Sequence, residues 1–252
     1  MHEVVGFVQP FYLAYQDINN REILSKYGKL CHYLMNNWQD FYKLNILGFK
    51  ESGKIKLGII SEQVRNHSVW TAITKGIVLN LDTNIFEVHI FYLGKDFDHE
   101  TNRALRAATS FTNNQPSLTE WTKIIIGKNL DVILYPEIGM DNTFTTKLAC
   151  MRLAPIQIAS WGHPETTGLP TIDYFLSADL FEDEFSQNFD FCLTLVQRGT
   201  TLKIVTNEGK AILCVPINDE SKDLIKNNVP LETPGVDQMS IAEDLKELEQ
   251  EF

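Results

Sequence analysis

Short apolar runs alternate with amphipathic stretches through the middle of the chain. The apolar runs predict five β-strands, at 55–61, 86–93, 131–135, 156–160 and 172–177. The stretches between them carry apolar residues at helical spacing and predict helices over 69–81, 101–108, 117–128 and 143–152. Strands that alternate with helices form a mostly parallel sheet with right-handed crossovers, so this pattern predicts an α/β fold.

The pattern changes on both sides of this α/β region, which divides the chain into three predicted parts. Residues 1–53 have mixed three- and four-residue apolar spacing and are expected to form a helical lead-in. Residues 54–183 are expected to form the α/β domain. Residues 184–252 are expected to form a divergent tail, in which a hairpin over 201–217 precedes an acidic amphipathic helix over 240–252.

Two of the predicted helices begin at recognisable capping residues. The segment Asn19–Glu22 predicts the start of the main lead-in helix, with an asparagine cap and an acidic first turn. Ser117 and Glu120 have the spacing of a capping box and predict a second helix start.

Composition and charge narrow the class of protein. The chain has 252 residues, of which 44% are hydrophobic and 22% charged, enough for a sizeable core. The formal net charge of −11 argues against a nucleic-acid or anionic-membrane partner, although a helix N-terminus can still hold a phosphate. No apolar run approaches the roughly 20 residues that span a bilayer, and no basic leader is evident. The four cysteines form no C-x-x-C pair, so the expected location is a reducing cytoplasm.

One loop concentrates residues that can carry chemistry. The predicted strand Ile156–Ser160 leads into it, and Gly162 and Gly168 permit unusual backbone angles or close approach. Pro164 stiffens the path, and an imidazole, a carboxylate and two hydroxyls lie between the glycines. Loops at the carboxyl ends of parallel strands bind ligands, which favours a site. A structural turn whose polar side chains satisfy nearby backbone groups is the alternative, and the chemistry alone leaves both open.

A second candidate follows the first predicted strand. His67 lies close to Arg65, which places an imidazole and a guanidinium in the first loop of the sheet. Histidine at such a place can act as a general base or donate a hydrogen bond to a hydroxyl or phosphate. The alternative is a helix-capping segment, with Asn66 or Ser68 as the cap and His67 as a bystander.

Several common site types are absent from the sequence. It has neither a G-x-G-x-x-G nor a G-x-x-x-x-G-K-[ST] motif, which argues against simple dehydrogenases and P-loop enzymes. It also lacks the G-x-S-x-G elbow of serine hydrolases. Asp96 and Asp98 match the D-x-D of metal-dependent sugar transferases, but a solvated loop is the more common reading. His163 and Glu165, separated by a proline, make a poor metal site by themselves, so no metal is expected.

Three motifs resemble the protein O-GlcNAc transferase family, which includes the plant SPINDLY proteins. They are Phe11–Gln16 with Asn19–Glu22, Lys56–Ser61 with Asn66-His67, and Ala154–Gln157 with Gly162–Pro164 and Thr166–Gly168. The last motif is the most specific, and together they span about residues 10–183. In that family, the position of His163 is often aromatic and that of Glu165 is frequently glycine.

The resemblance implies a GT-B glycosyltransferase, in which two Rossmann-like domains face each other across a cleft without a required metal. Such enzymes transfer GlcNAc from UDP-GlcNAc to a Ser or Thr hydroxyl with inversion. By this resemblance, His67 is the catalytic histidine near the acceptor. The residues expected to bind substrate are Asn66, Gly162, His163, Pro164 and Thr167.

The resemblance covers only the N-terminal catalytic half of such an enzyme. In the family, the second Rossmann domain holds most of the nucleotide, and a domain of that kind needs roughly 100 residues. Residues 184–252 are too few and do not align with it, so the chain is expected to be inactive alone. The expected partners are a protein acceptor, and UDP-GlcNAc if a second Rossmann domain completes the site. The alternatives are a non-catalytic binding module, one subunit of a split glycosyltransferase, or an unrelated flavodoxin-like interaction domain.

Overall fold

The structure is a computed structural model in which most of the first 178 residues are described. The described ranges are 2–16, 18–46, 53–140, 143–163 and 165–178, followed by strands at 192–195, 201–205 and 211–216. Within these ranges, an α/β sheet carries helices on both faces.

Six parallel strands form the main part of the sheet. They are β1 (Ile55–Ser61), β2 (Phe86–Tyr92), β3 (Ser110–Asn113), β4 (Val132–Tyr135), β5 (Ile156–Ser160) and β6 (Tyr174–Ala178). Their order across the sheet is β3-β2-β1-β4-β5-β6, which is the order of the Rossmann fold. The predicted parallel α/β fold is confirmed. The order differs from the 2-1-3-4-5 order of flavodoxin, so the flavodoxin-like alternative is wrong.

Three further strands extend the sheet beyond β6. They are β7 (Cys192–Leu195), β8 (Thr201–Val205) and β9 (Ala211–Pro216). β7 pairs parallel with β6, whereas β8 pairs antiparallel with both β7 and β9. The hairpin predicted over 201–217 is therefore confirmed. The acidic helix predicted over 240–252 lies outside the described residues.

The helices pack in the positions that the sequence pattern predicts. They are α1 (Arg21–Phe41), α2 (Lys75–Asn80), α3 (His99–Ala107), α4 (Leu118–Gly127) and α5 (Thr143–Ala149). A π-helical turn, Trp70–Thr74, precedes α2. At α4, the Glu120 N–H donates to Ser117 Oγ at 3.2 Å, which confirms the serine cap.

The start of α1 differs in detail from the prediction. Asn20 occupies the N-cap position, but the Arg21 N–H donates to Oδ1 of Asn19 at 3.0 Å. The Asn20 side chain turns instead toward the loop after β5. The predicted asparagine cap is thus wrong for Asn20, because a tertiary contact takes up its amide.

The hydrophobic core has two parts, one on each face of the sheet. Successive β1 residues point to opposite faces, so Ile59 joins one part and Ile60 the other. The part that contains Ile60 is formed with α1, α4 and α5 and includes Met35, Trp121 and Leu148. The lead-in helix α1 is therefore packed against the sheet, because its buried apolar face contributes to the same core as α4 and α5.

Gln157 in β5 explains part of the Ala154–Gln157 motif. Its fully buried side-chain amide accepts a hydrogen bond from the Leu153 N–H and donates to the carbonyls of Met151 and Thr171. One side chain thus satisfies three backbone groups of the segments that flank β5, and its role is structural.

The helices of the described ranges are all too short or too polar to cross a bilayer.

Candidate functional site

The two loops that the sequence singles out lie at one edge of the sheet. His67 follows β1 and Gly162 follows β5, and parallel strands present their carboxyl ends at the same edge. Since β4 lies between these strands, its following residues Pro136 and Glu137 separate the two loops. At about 4.8 Å per strand, the ends of β1 and β5 are about 10 Å apart. The arrangement brings the loops to opposite sides of a single strand end.

Asp98 holds the Asn66-His67 loop in place. Its Oδ1 accepts hydrogen bonds from the N–H groups of Glu100 and Thr101 and caps α3, while its Oδ2 accepts from the Asn66 N–H at 2.7 Å. Burial by itself would raise the pKa of Asp98, but these hydrogen bonds lower it overall. The second aspartate of the D-x-D pattern is therefore a helix cap. Across the described ranges, no group of three or more acidic, histidine or cysteine side chains could hold a metal.

His67 is half-buried and takes part in the start of the following helical turn. The Val69 N–H donates to Nδ1 of His67 at 3.2 Å, so the imidazole itself accepts a backbone group at this helix start. In the neutral ring, this bond assigns the proton to Nε2. His67 would then present a hydrogen-bond donor to a ligand oxygen, and the capping and binding interpretations apply to the same side chain.

A partly buried ion pair fixes the π-helical turn that follows His67. Glu100 accepts from Nε1 of Trp70 and from Nζ of Lys75, each at 2.8 Å. The hydrogen bond from Lys75 lowers the pKa of the Glu100 carboxyl most, and the bond from Trp70 lowers it further. A π-helical turn of this kind is frequent at functional sites, because it redirects the side chains of one turn.

Glu137 is the site residue that the sequence analysis missed. Its side chain is only 2% exposed, and its Oε1 accepts hydrogen bonds from Ser61 Oγ at 2.8 Å and from the Glu62 N–H at 2.6 Å. This carboxylate thereby joins the end of β4 to the end of β1. An acidic residue two positions after the apolar run Val132–Tyr135 was the available signal, since carboxylates are rarely buried without partners.

Gly162 is required by the close approach of two strand ends. Its N–H donates to the Pro136 carbonyl at 3.1 Å, and a Cβ at this position would overlap that same carbonyl oxygen. Only glycine fits without moving the backbone. The predicted close approach is therefore confirmed, and the group approached is the neighbouring strand end.

His163 is packed inside the protein at this edge. It is 9% exposed, its Nδ1 accepts the Glu165 N–H at 3.3 Å, and its ring lies edge-on to Phe11 with centroids 5.2 Å apart. Burial lowers the pKa of His163, although hydrogen bonds with the backbone of Glu165 and Phe11 and the nearby Glu165 charge act in the opposite direction. A neutral imidazole at neutral pH follows from this balance.

The remaining predicted site residues differ in their exposure and in their hydrogen bonds. Asn66 is exposed beside His67. Thr167 is half-buried, and its Oγ1 accepts the Leu169 N–H at 3.2 Å, just as Oγ1 of Thr166 accepts the Gly168 N–H. These local bonds match the structural-turn interpretation of this part of the loop. Pro164 lies outside the described residues.

The fold and the position of the loops define a Rossmann-like α/β unit with its candidate site at the carboxyl edge of the sheet. Among solved structures, a mutant O-GlcNAc transferase of Thermobaculum terrenum resembles it with a TM-score of 0.51 and 17% sequence identity. The alignment covers 74% of this chain and 36% of that transferase chain, so the chain spans about a third of its length. At this identity the likeness shows the fold alone. No family model and no curated protein sequence matches the chain.

Replacing Glu137 tests the connection between β1 and β4. Glu137→Ala removes the shared acceptor of the Ser61 hydroxyl and the Glu62 N–H, at about 1–3 kcal/mol for each buried group. We expect the free energy of unfolding in urea to fall by about 2–5 kcal/mol. Glu137→Gln is the matched control, because it keeps an Oε1 acceptor and should lose clearly less. Equal losses of stability in both variants would contradict the role of Glu137 as the acceptor that connects β1 and β4.

The pH dependence of stability tests the burial of His163. Its pKa in the folded chain lies below the value of about 6.5 in the unfolded chain, so the unfolded state binds the proton first. The stabilisation is complete above about pH 6.5 and is lost as the pH falls below it. We expect urea unfolding between pH 7.5 and 5.5 to show a smaller loss for His163→Phe than for wild type. A His163→Phe slope equal to the wild-type slope would refute this account.

Proposed function

We propose that this chain supplies the acceptor-side Rossmann-like half of a GT-B glycosyltransferase. The observation that carries the proposal is the placement of the Asn66-His67 and Gly162-His163 loops on either side of the β4 end, at one carboxyl edge. The fold likeness to an O-GlcNAc transferase supports the class of glycosyl transfer. The three resembling motifs favour transfer of GlcNAc from UDP-GlcNAc to a Ser or Thr hydroxyl of a protein acceptor.

In the proposed reaction, the acceptor hydroxyl oxygen attacks the anomeric carbon of the sugar as the bond to the diphosphate breaks. Inversion follows from this single displacement, the hydroxyl proton passes to a base, and UDP leaves. His67 is the proposed contact to the acceptor hydroxyl. Its Nδ1 already accepts the Val69 N–H, which favours donation from Nε2 to a ligand oxygen over proton abstraction by Nε2.

Stabilisation of the departing diphosphate is expected to be the largest catalytic contribution. In a GT-B enzyme, this contribution comes mainly from the second Rossmann-like unit. We therefore propose that such a unit, in the same or another polypeptide, completes the site and brings UDP-GlcNAc.

A binding module without catalysis is the second candidate function. The observation that favours it is the local use of polar groups in the loop after β5. His163 is buried, and the hydroxyls of Thr166 and Thr167 accept backbone N–H groups of the same loop. A loop of this kind could hold an acceptor without taking part in transfer.

Titration and transfer assays distinguish these functions. Calorimetry measures binding of UDP and UDP-GlcNAc, and a radiolabel assay measures transfer of GlcNAc to a protein acceptor. We expect transfer when the chain is combined with a polypeptide that carries the nucleotide-binding half of such a transferase. Acceptor binding without transfer in any combination would favour the binding module. Binding of neither UDP-sugar nor acceptor would refute both.

Substitutions at His67 separate its two chemical roles. His67→Ala should reduce kcat/KM for transfer by about 10–100-fold if His67 only donates a hydrogen bond, and by about 10²–10⁴-fold if it transfers the proton. If His67 donates a hydrogen bond from Nε2, His67→Gln should remain within about tenfold of wild type, because an amide can also donate. If His67 is the base, the glutamine variant should be as slow as the alanine variant. An unaffected His67→Ala enzyme would remove His67 from the reaction.

A further inference from the structure

The lead-in helix α1 touches the loop after β5 through its backbone. Gly28 of α1 faces Gly168 so closely that a Cβ at Gly28 would overlap the Gly168 carbonyl, and a Cβ at Gly168 would overlap the Leu24 carbonyl. Gly168 also has a φ of +64°, in the left-handed region that favours glycine. The end of the candidate loop therefore rests directly on the lead-in helix.

Asn20 connects the lead-in to the same loop through its side chain. It is 3% exposed, and its Nδ2 donates to Oε1 of Glu165 at 2.7 Å and to the Leu13 carbonyl at 2.8 Å. Both partners are acceptors, so the opposite orientation of the amide would place its oxygen against them. The orientation of Asn20 is therefore determined by its contacts.

Glu165 links Asn20 to His163, because it forms hydrogen bonds with both. Its carboxylate is held by Asn20, and its backbone N–H donates to Nδ1 of His163 at 3.3 Å. On the other side, the His163 ring packs edge-on against Phe11, which begins a short 3₁₀ turn of the lead-in (Phe11–Tyr15). The lead-in thus contacts the loop on both sides of its histidine.

We propose that Asn20 is a positioning residue of the candidate site. It holds the Glu165 carboxylate and thereby sets the place of the His163 ring and of the loop from Gly162 to Gly168. The effect on substrate rests on the proposed glycosyl transfer, in which this loop faces the sugar and the acceptor. The effect on the loop itself is independent of that function.

Three pairs of variants test the proposal, each with a matched control. Asn20→Ala removes both hydrogen bonds, whereas Asn36→Ala removes one exposed amide bond on the same helix. Gly28→Ala introduces a methyl group against the Gly168 carbonyl, whereas a methyl group at Gly76 of α2 meets open space among the described residues. Glu165→Ala removes the carboxylate, and Glu165→Gln keeps an acceptor for Asn20.

The readout for the loop is the ring ¹H–¹⁵N NMR spectrum of His163 in the full chain, assigned with His163→Phe. We expect Asn20→Ala and Glu165→Ala to shift these signals, and their double variant to shift them no further, because both act through one contact. Asn36→Ala and Gly76→Ala should leave the signals in place, and Glu165→Gln, which keeps an acceptor for Asn20, should shift them less than Glu165→Ala. Thermal unfolding checks that each variant folds, and the asparagine and glutamate variants decide the question if Gly28→Ala fails to fold.

The readout for function is a split between KM and kcat in the transfer assay with the completing half added. We expect Asn20→Ala to raise KM for the acceptor about tenfold or more, with a smaller change in kcat, because a displaced loop weakens substrate placement. Unchanged His163 signals, or shifted signals with an unchanged KM, would overturn the proposal. If wild type transfers no sugar in any combination, the proposed function fails, and the His163 signals still decide whether Asn20 positions the loop.

Discussion

Parallel pairing of β1, β4 and β5 is the constraint on which the rest of the structure depends. The pairing aligns Ile59 with Leu134 and Tyr135 with Ala159, so the three strands end together. Every loop that carries candidate chemistry then leaves from the same edge. A shift of one residue in this register would move each side chain to the opposite face of the sheet, so the packing of the two core layers fixes the alignment of the strand ends and of the loops that follow them.

Polar side chains at both ends of the sheet satisfy the backbone of neighbouring segments. Glu137 accepts from the end of β1, Asp98 from the Asn66-His67 loop, and Gln157 from the segments around β5. Each replaces the hydrogen bonds that the loop backbone loses when water is excluded. Much of the acidic and amide chemistry near the candidate site is thus structural, and His67 is left as the half-buried imidazole beside the exposed Asn66.

The lead-in takes part in the candidate site although it precedes the sheet in sequence. Its helix α1 contributes to the core, and its glycine contact and the Asn20 amide reach the loop after β5. Within the loop after β5, Glu165 and His163 are the residues at which the chain departs from the pattern of the family that it resembles. Both contact this lead-in, so the departures occur where the loop meets a second element and not where it faces solvent.

The sequence by itself determined the elements. The strands at 55–61 and 156–160 match the structure at both ends because mostly apolar runs stop at polar or glycine-containing loops. It did not reveal β3, since Ser110–Asn113 is a short, mostly polar edge strand that only its neighbour defines. It placed His67 and Gly162 in loops, but Glu137 and Asn20 emerged only from tertiary structure. Their partners lie 75 and 145 residues away, and no local pattern records a hydrogen bond formed across that separation.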